Sequence, residues 1–333
     1  MIRKLALLGF VLALCFVSLE VFVRFALDLH PQSYVVPPAV GRYDAELGWT
    51  LRENNVAVSK PFGYPIEYRV NSKGLRDREV SAVKGKGEFR VVLLGDSNAF
   101  GFGVRLENHF STLVEEYVEG VEIVNLAVGG YGVDQELLRL RKEGFSYGPD
   151  LVLALVDGNY PNDRHMYSNR FGFAKPRFQL EGDELLLYDS PVPEPDTARD
   201  SVLRLPHRLM RENSAAYEGL RKVWSGWSVG QQGAALDTAG GDRADVVGLG
   251  DLIVLQIDRD CRAAGAPFML GALDERLGRV ARGADVNVVD LSSIATDRRY
   301  ALPDGHLNDA GNEAVAREFA LAIEEFRRAA QVD

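Results

Sequence analysis

Four short polar loops each adjoin an apolar run or a helix of this sequence, and together they hold residue types capable of nucleophilic chemistry. Ser97 lies in LLGDSNAFG, Gly130 in NLAVGGYGVDQEL, Asn159 in LALVDGNYPND and His306 in LPDGHLNDAG. A serine hydroxyl becomes a nucleophile when a neighbouring base takes its proton, and the oxyanion that follows needs hydrogen-bond donors. These residue types are therefore the parts of a nucleophilic acyl-transfer site.

The base that would activate Ser97 is best sought among the five histidines. His30 lies by the predicted membrane segment, and His109, His165 and His207 fall in or beside helical or lid-like segments. His306 is the one that lies in a loop with an acid, Asp304, two residues before it. In an extended segment, residues i and i+2 face the same side. We therefore expect Asp304 to orient the imidazole of His306 and to stabilise its protonated form.

Three donors are candidates for binding the oxyanion. The backbone N–H of Ser97 opens a predicted helix or turn, and Gly130 lies in a loop where glycine lets the backbone come close. The side-chain amide of Asn159 is the third candidate, with Asn162 as the fallback. Losing one such donor typically costs about 2.7–4 kcal/mol of transition-state stabilisation.

Each loop also has a purely structural explanation when taken alone. Asp96 and Ser97 are both good helix caps, and the glycines around Gly130 can simply mark a turn. The coincidence of four such loops is what favours chemistry over turn formation.

The elements that must position these loops are predicted from an alternation of apolar runs and amphipathic segments. Continuous apolar runs, typical of strands buried on both faces, occur in FRVVLL, VEIVNLAV, DLVLALV, PFMLGAL and VNVVDL. Helical spacing follows at about 107–119, and a final helix is predicted from Asp309 to about Ala330. This alternation predicts a mostly parallel sheet covered on both faces, whose ligands bind beyond the carboxyl ends of the strands.

The predicted domain organisation has three parts. Residues 1–30 form a signal anchor or transmembrane helix, residues 31–88 form a linker with small strands, and residues 89–330 form the main domain. A lid-like insertion at about 164–243 breaks the alternation. It includes RFQLEGDELLLY, which reads as a hairpin turning at Gly182.

The first 30 residues predict a helix that stays in a membrane. Arg3 and Lys4 precede a long apolar stretch, in which Glu20 and Arg24 can pair at i,i+4 near the outer end. The stretch is long enough for a bilayer core of about 30 Å. A cleaved signal peptide is the alternative, but no Ala-x-Ala-like site follows. The basic start places the rest of the chain outside the cytoplasm, in the periplasm or at the cell surface.

Composition excludes several classes of function. The chain has 333 residues, a net charge of −10 and a pI of about 5.2, which argues against a nucleic-acid partner. Its two cysteines, Cys15 and Cys261, form no Cys-x-x-Cys, so thiolate zinc sites and dithiol redox motifs are not expected. We expect no metal or organic cofactor.

The four loops, in this order, resemble the sequence blocks of the SGNH (GDSL-type) hydrolases. The resemblance implies a flavodoxin-like three-layer α/β/α fold with Ser97 as nucleophile, Gly130 and Asn159 in the oxyanion hole and His306 as base. The upstream ELGWTL and NSKGLRD are also similar to membrane-tethered bacterial members. The Gly-x-Ser-x-Gly elbow of α/β-hydrolases is absent around Ser97.

One departure from the family pattern concerns the acid. Many members carry it three residues before the histidine, where this chain has Pro303 and places Asp304 one residue later. The assignment of Asp304 as the acid therefore rests only on its position two residues before His306.

Three functions are compatible with these residues. The leading expectation is a serine esterase that hydrolyses a small ester, which includes acyl groups on carbohydrate. The alternative is an O-acyltransferase or deacetylase that acts on envelope polysaccharide with the same site. A non-catalytic binding module is the third, and the intact set of serine, histidine and asparagine argues against it.

Overall fold

A computed structural model of the chain describes residues 2–26, 40–62, 64–157, 174–182, 184–194, 210, 214–217, 220 and 247–330. The chain divides into two compact units. The first comprises Met1–Tyr34, Ser59–Pro65 and Asp196–Arg243. The second comprises Val35–Val58, Ile66–Pro195 and Ala244–Asp333.

The strands and helices bounded within the described residues follow the predicted alternation. The strands are β1 (Gly41–Asp44), β2 (Gly48–Leu51), β3 (Asn55–Ser59), β4 (Ile66–Val70), β5 (Phe89–Gly95), β6 (Val121–Asn125), β7 (Leu151–Val156), β8 (Arg177–Glu181), β9 (Glu184–Tyr188), β10 (Phe268–Ala272) and β11 (Asn287–Asp290). The helices are α1 (Ile2–Ala26), α2 (Ser97–Phe100), α3 (Phe110–Tyr117), α4 (Val133–Lys142), α5 (Leu249–Ala264), α6 (Glu275–Gly283), α7 (Ser292–Thr296) and α8 (Asp309–Ala329).

The second unit is built around a parallel sheet of five strands. Their spatial order is β11-β10-β7-β5-β6, and every neighbouring pair is parallel. Numbered along the chain within this sheet, the order is 2-1-3-4-5, which is the flavodoxin-like arrangement. The predicted α/β fold class is therefore confirmed. In this arrangement the order of the strands reverses at β5, and the crevice for ligands opens beyond the carboxyl end of that strand.

Helices cover both faces of the sheet and complete three layers. On one face, α4, α5 and α6 bury their apolar stripes in a cluster with alternate residues of β5, β7 and β10. On the other face, α3 and α8 meet through Phe110 and Phe319, whose rings are 5.6 Å apart. Gly271 lets α8 approach β10, because a Cβ there would lie 2.4 Å from Phe319. Each fully buried aliphatic side chain contributes roughly 1.5–3 kcal/mol, so this core stabilises the positions of the strand ends.

One predicted segment has a slightly different form in the structure, and another has the form that was predicted. The predicted helix at about 107–119 divides into a 3₁₀ turn, Leu106–Asn108, and α3, because the extended backbone of His109 separates them. The predicted hairpin is present as β8 and β9, which pair antiparallel around Gly182. Most of the predicted insertion at 164–243 lies outside the described residues.

The first unit contains α1, whose span Leu7–Phe25 is long and apolar enough to cross a membrane. Its mean hydropathy is 2.2, and only 6% of the span is buried by the rest of the protein. The predicted pair of Glu20 and Arg24 is present, with a nitrogen-to-oxygen distance of 2.7 Å. Length and composition alone fit a membrane anchor and a signal sequence equally.

The carboxylate of Glu20 also binds a short segment of the insertion. It accepts hydrogen bonds from the Ser214 hydroxyl at 2.8 Å and from the backbone N–H groups of Ala215 and Ala216 at 2.8 and 2.9 Å. Val23, one turn further along α1, is buried against the same two alanines. The outer part of α1 is thus packed within the first unit.

Candidate active site

The nucleophile candidate, Ser97, follows the carboxyl end of β5 directly. Gly95 ends the strand with a φ of 152°, and a Cβ at this position would lie 2.4 Å from the Ala99 Cβ and 3.0 Å from the Leu155 carbonyl oxygen. Glycine is therefore required where the chain turns sharply from strand to helix. Asp96 caps α2, since its carboxylate accepts a hydrogen bond from the Asn98 N–H at 2.9 Å. This turn caps a helix and presents the serine at the same time.

Ser97, His306 and Asp304 lie in contact. The Ser97 Oγ is 2.7 Å from the His306 Nε2, and the His306 Nδ1 is 2.9 Å from an Asp304 carboxylate oxygen. The side chains of His306 and Asp304 are only 13% and 12% exposed. Their order, hydroxyl to imidazole to carboxylate, is the order in which a proton moves from a serine and the resulting imidazolium is stabilised.

The contact between His306 and Asp304 is close but poorly aligned. Among the described residues, no acceptor lies in line with the Nδ1–H of His306. The 2.9 Å separation is nevertheless short enough for the carboxylate to stabilise a positive charge on the ring. Hydrogen bonds of catalytic groups are often loose before substrate binds and tighten afterwards.

The segment that carries Asp304 and His306 is a turn, and this corrects the extended segment predicted from sequence. The Leu302 N–H donates to the His306 carbonyl at 2.6 Å, and Gly305 has a φ of 96°. The Asp304 carboxylate also accepts from the His306 backbone N–H at 3.3 Å. The turn, rather than strand alternation, brings the two side chains together.

Two residues that the sequence analysis did not single out position His306. The Phe102 ring lies 4.7 Å from the imidazole, centroid to centroid. The Asn98 side-chain oxygen accepts a hydrogen bond from the Leu307 N–H at 3.0 Å. This bond connects the turn that carries His306 (the histidine turn) to the turn that carries Ser97 (the serine turn). Asn98 follows Ser97 directly, but its partner is 209 positions away, so no local pattern indicates this contact.

The candidate oxyanion donors are distributed over two loops beside Ser97. The backbone N–H of Ser97 is in the first turn of α2, where helical N–H groups have no partner within the helix. Gly130, with a φ of 83°, lies in the loop after β6. Val128 of that loop donates its N–H to the Gly95 carbonyl at 3.3 Å, and Asn125 donates its amide to the Ala99 carbonyl at 2.8 Å. Asn159 and Asn162 lie outside the described residues.

A second histidine lies near the serine turn but remains neutral. His109 is fully buried, and burial lowers its pKa to about 3, with a further contribution from the positive charge of Arg76. Its Nδ1 contacts the Ser111 hydroxyl at 2.7 Å, and its Nε2 lies 3.4 Å from the Asn98 carbonyl oxygen. His109 is therefore part of the packing under α2, and the exposed edge of the serine turn is left to His306.

Neither cysteine resembles a nucleophile. Cys261 is buried, and desolvation raises the pKa of its thiol to about 12. Cys15 is exposed on α1. Within the described ranges, no cluster of three or more histidine, cysteine, aspartate or glutamate side chains could hold a metal ion.

Comparisons with known proteins give matches among solved structures. The chain matches no protein-family model and no curated protein sequence. It is similar to the psychrotrophic esterase EstA from Pseudoalteromonas sp., at 12% identity over 72% of this chain and 100% of that chain, with a TM-score of 0.40. It is also similar to a member of the lipolytic protein G-D-S-L family from Veillonella parvula, at 11% identity over 72% and 98% of the two chains, with a TM-score of 0.36.

A third match is an acetylxylan esterase from Geobacillus stearothermophilus, at 12% identity over 71% of this chain and 94% of that chain, with a TM-score of 0.37. At these similarities, the function of this chain has to be inferred from its own side chains.

Proposed function

We propose that this protein is a serine esterase of the SGNH (GDSL) type that hydrolyses a small ester. The observation that carries the proposal is the contact of the Ser97 hydroxyl with the His306 Nε2 at 2.7 Å, with Asp304 behind the ring at 2.9 Å. These three side chains meet beyond the carboxyl end of β5, where open parallel sheets bind their ligands. A core histidine kept for packing would not need both a hydroxyl and a carboxylate at its two nitrogens.

The proposed reaction proceeds in two halves. The Ser97 Oγ attacks the acyl carbon while the His306 Nε2 takes its proton, and Asp304 stabilises the imidazolium. His306 then gives this proton to the leaving alcohol, and the acyl group stays on Ser97. In the second half, His306 takes a proton from water, and the hydroxide adds to the acyl carbon. Collapse of that intermediate returns the proton to Ser97 and releases the acid.

The oxyanion formed in each half needs donors that are in place beforehand. The N–H groups of Ser97 and Gly130 are the proposed backbone donors, and the Asn159 amide is the proposed side-chain donor, with Asn162 as its alternate. Preorganised donors of this kind supply a large part of the catalysis in acyl transfer.

Hydrolysis of a short-chain p-nitrophenyl ester by the full chain in detergent tests the proposal. We expect Ser97→Ala to lower kcat by about 10⁴–10⁶-fold, because the nucleophile is removed. Ser146→Ala, which changes an exposed serine whose hydroxyl donates to the Glu143 carbonyl of its own turn, is the matched control and should keep wild-type activity. Equal rates for Ser97→Ala and wild type would refute a serine mechanism. Acetyl transfer to an oligosaccharide faster than hydrolysis would instead identify an acyltransferase.

We further propose that α1 remains on the mature protein as a membrane anchor. The contacts of Glu20 with Ser214, Ala215 and Ala216 support this, because cleavage after α1 would leave three donors without their carboxylate. Arg3 and Lys4 then keep the N-terminus in the cytoplasm and place the second unit on the other side of the membrane.

A further inference from the structure

The motif NSKGLRD contains an arginine, Arg76, just before its final aspartate, and this arginine contacts the turn that carries Ser97. Arg76 is 1% exposed, and its guanidinium donates to three backbone carbonyls. Nη1 bonds the carbonyls of Phe100 and Gly101 at 2.7 and 2.6 Å, and Nη2 bonds that of Val104 at 2.7 Å. These carbonyls lie at the carboxyl end of α2, the helix that begins at Ser97, and in the turn that follows it. Arg76 therefore holds the far end of the short segment that presents the nucleophile.

The surroundings of Arg76 show that the contact is built for a guanidinium. Its planar group lies 4.7 Å from the centroid of the Tyr68 ring and 5.2 Å from that of Phe100. Gly101 leaves room for it, since a Cβ there would lie 2.4 Å from Nη1. Within the described residues, no carboxylate forms an ion pair with Arg76. A buried charge that forms no ion pair is costly, and an apolar side chain could fill the space without that cost. The three carbonyls are therefore the feature that requires arginine.

Tyr68 adds a second bond from the same segment. Its hydroxyl oxygen accepts a hydrogen bond from the Gly103 N–H at 3.0 Å. Gly103 follows Phe102, whose ring contacts His306. Strand β4 and the turn after it thus hold the chain at the end of α2 and just beyond it, from Phe100 to Val104.

The motif ELGWTL contacts the loop that carries Gly130 (the glycine loop), as NSKGLRD contacts the serine turn. The Trp49 ring is buried, and its Nε1–H donates to the Gly129 carbonyl at 3.4 Å, next to Gly130. In return, the Tyr131 hydroxyl donates to the Trp49 carbonyl at 2.6 Å, and the two rings pack edge to face at 5.6 Å. The Gln135 amide donates to the Leu47 carbonyl at 2.7 Å. Trp49 of β2 therefore contacts the residues on both sides of Gly130.

We propose that Arg76 and Trp49 are positioning residues for acyl transfer, Arg76 for the nucleophile turn and Trp49 for the loop of the oxyanion donor Gly130. This inference rests on the proposed function. Both residues act through backbone groups of other residues, and neither needs to touch the substrate. Strands β2 and β4 and the turn after β4 thus support the proposed active site.

The first experiment compares Arg76→Lys with Arg90→Lys in the full chain. Arg90 is equally buried, but it lies at the opposite end of β5, where it bonds Glu122 and the Tyr147 carbonyl. A lysine carries its donors on a single nitrogen, so it cannot reproduce the planar fork whose two nitrogens bond the three carbonyls. We expect Arg76→Lys to lower kcat by about 10²-fold with KM within a few-fold, because a small misplacement of reacting groups has this effect. Arg90→Lys should lower the melting temperature but leave kcat within about twofold of wild type.

Tyr68→Phe keeps the inference testable if Arg76→Lys does not fold. It removes the hydroxyl oxygen that accepts the Gly103 N–H and keeps the ring. We expect kcat to fall several-fold, roughly the effect of losing one neutral hydrogen bond, with an unchanged melting profile. A wild-type kcat in the folded variants of Arg76 and Tyr68, or an equal loss in Arg90→Lys, would overturn the role of Arg76.

Trp49→Phe tests the glycine loop, with Tyr43→Phe as its control. Phenylalanine keeps an aromatic ring and removes the Nε1–H donor. Tyr43 lies opposite Trp49 in the same hairpin and bonds the Val192 carbonyl, which is outside the four loops. We expect Trp49→Phe to lower kcat about tenfold with KM unchanged, and Tyr43→Phe to leave both constants unchanged. Equal kinetics for the two variants would overturn the role of Trp49.

A covalent probe separates this inference from the proposed function. Ser97 of the wild-type chain should react with an organophosphate ester such as diethyl p-nitrophenyl phosphate and release one p-nitrophenol per chain. Failure of the wild type to react would overturn the proposed function. A reactive wild type with equally reactive, folded Arg76→Lys and Tyr68→Phe variants would overturn the role of Arg76 alone.

Discussion

At the scale of single residues, the acid of the site is set by one turn. Asp304 reaches the His306 ring from two positions upstream because the backbone turns at Gly305, where φ is 96°. An aspartate in place of Pro303 is therefore not needed for this contact. The sequence indicated which residues meet, and the turn that joins them came only from the structure.

Replacing Asp304 with asparagine should reveal its role. The asparagine keeps the size of the side chain but cannot stabilise the imidazolium of His306 electrostatically. We expect Asp304→Asn to lower kcat by about 10²–10⁴-fold, the upper limit being that of a buried triad acid. Steady-state hydrolysis of a p-nitrophenyl ester measures the effect.

The matched control for this variant is Asp297→Asn. Asp297 is another acid of the same region, and it caps the 3₁₀ turn Arg298–Tyr300 through the Arg299 N–H at 2.9 Å. We expect its replacement to change kcat by less than about threefold, because among the described residues its carboxylate bonds Arg299 and not Ser97, His306 or Asp304. Similar mild effects for both variants would mean that Asp304 is not the acid.

At the scale of elements, helical spacing predicted the helix after the serine turn but not its start. The apolar positions from Phe110 onward predict a helix, and the structure confirms one there. It begins at Phe110 because His109 caps it through Nδ1, which accepts the Ser111 N–H at 3.3 Å. Histidine is not a usual cap, and its burial under α2 depends on tertiary contacts that periodicity does not record.

His109 should make the stability of the fold sensitive to acid. Burial lowers its folded pKa to about 3, while the unfolded chain keeps an ordinary value near 6.5. Above pH 6.5 both states are neutral, and its contribution to stability is fully present. As the pH falls below 6.5, only the unfolded chain takes up the proton, so this contribution decreases by about 1.4 kcal/mol per pH unit down to about pH 3.

His109→Asn isolates this effect, since asparagine can cap α3 but does not titrate. Urea unfolding of the full chain in detergent at pH 7.5, 5.5 and 4.5 gives the free energy of unfolding of both proteins. We expect the advantage of the wild type over the variant to shrink steadily with acidification. A constant difference across this range would show that His109 titrates normally in the folded protein.

At the scale of the whole molecule, the sheet and the meeting of Ser97, His306 and Asp304 could be predicted from the sequence. The contacts by which Arg76 and Trp49 hold the site loops could not. Apolar runs mark β5, β7 and β10 because both faces of each strand are buried. The side chains of Arg76 and Trp49 bind backbone carbonyls of residues that lie much later in the chain. Contacts of this kind leave no periodic pattern in the sequence, because the tertiary packing of β2 and β4 brings the partners together.

The N-terminal helix should behave as part of the folded protein. We expect protein isolated from membranes to have an intact mass that includes α1, and to resist extraction by alkaline carbonate. Loss of the first 26 to 30 residues from the mature protein would contradict the proposed anchor.

Glu20→Ala tests the contacts of this helix directly. The variant removes the acceptor of the Ser214 hydroxyl and of two backbone N–H groups, each worth about 1.5–3 kcal/mol when bonded to a charge. Limited proteolysis with elastase should therefore cleave at Ala215 and Ala216 about tenfold faster or more. Glu67→Ala, which breaks an exposed ion pair with Arg69, should leave this rate unchanged.

The separation of 209 positions between Ser97 and His306 has a consequence for biosynthesis. A chain is synthesised from its N-terminus, so Trp49, Arg76 and the serine turn are made long before the histidine. Under the proposed mechanism, the nascent chain therefore carries its nucleophile but no base until the segment just before α8 is complete. We expect a chain arrested before that point to be inert towards esters.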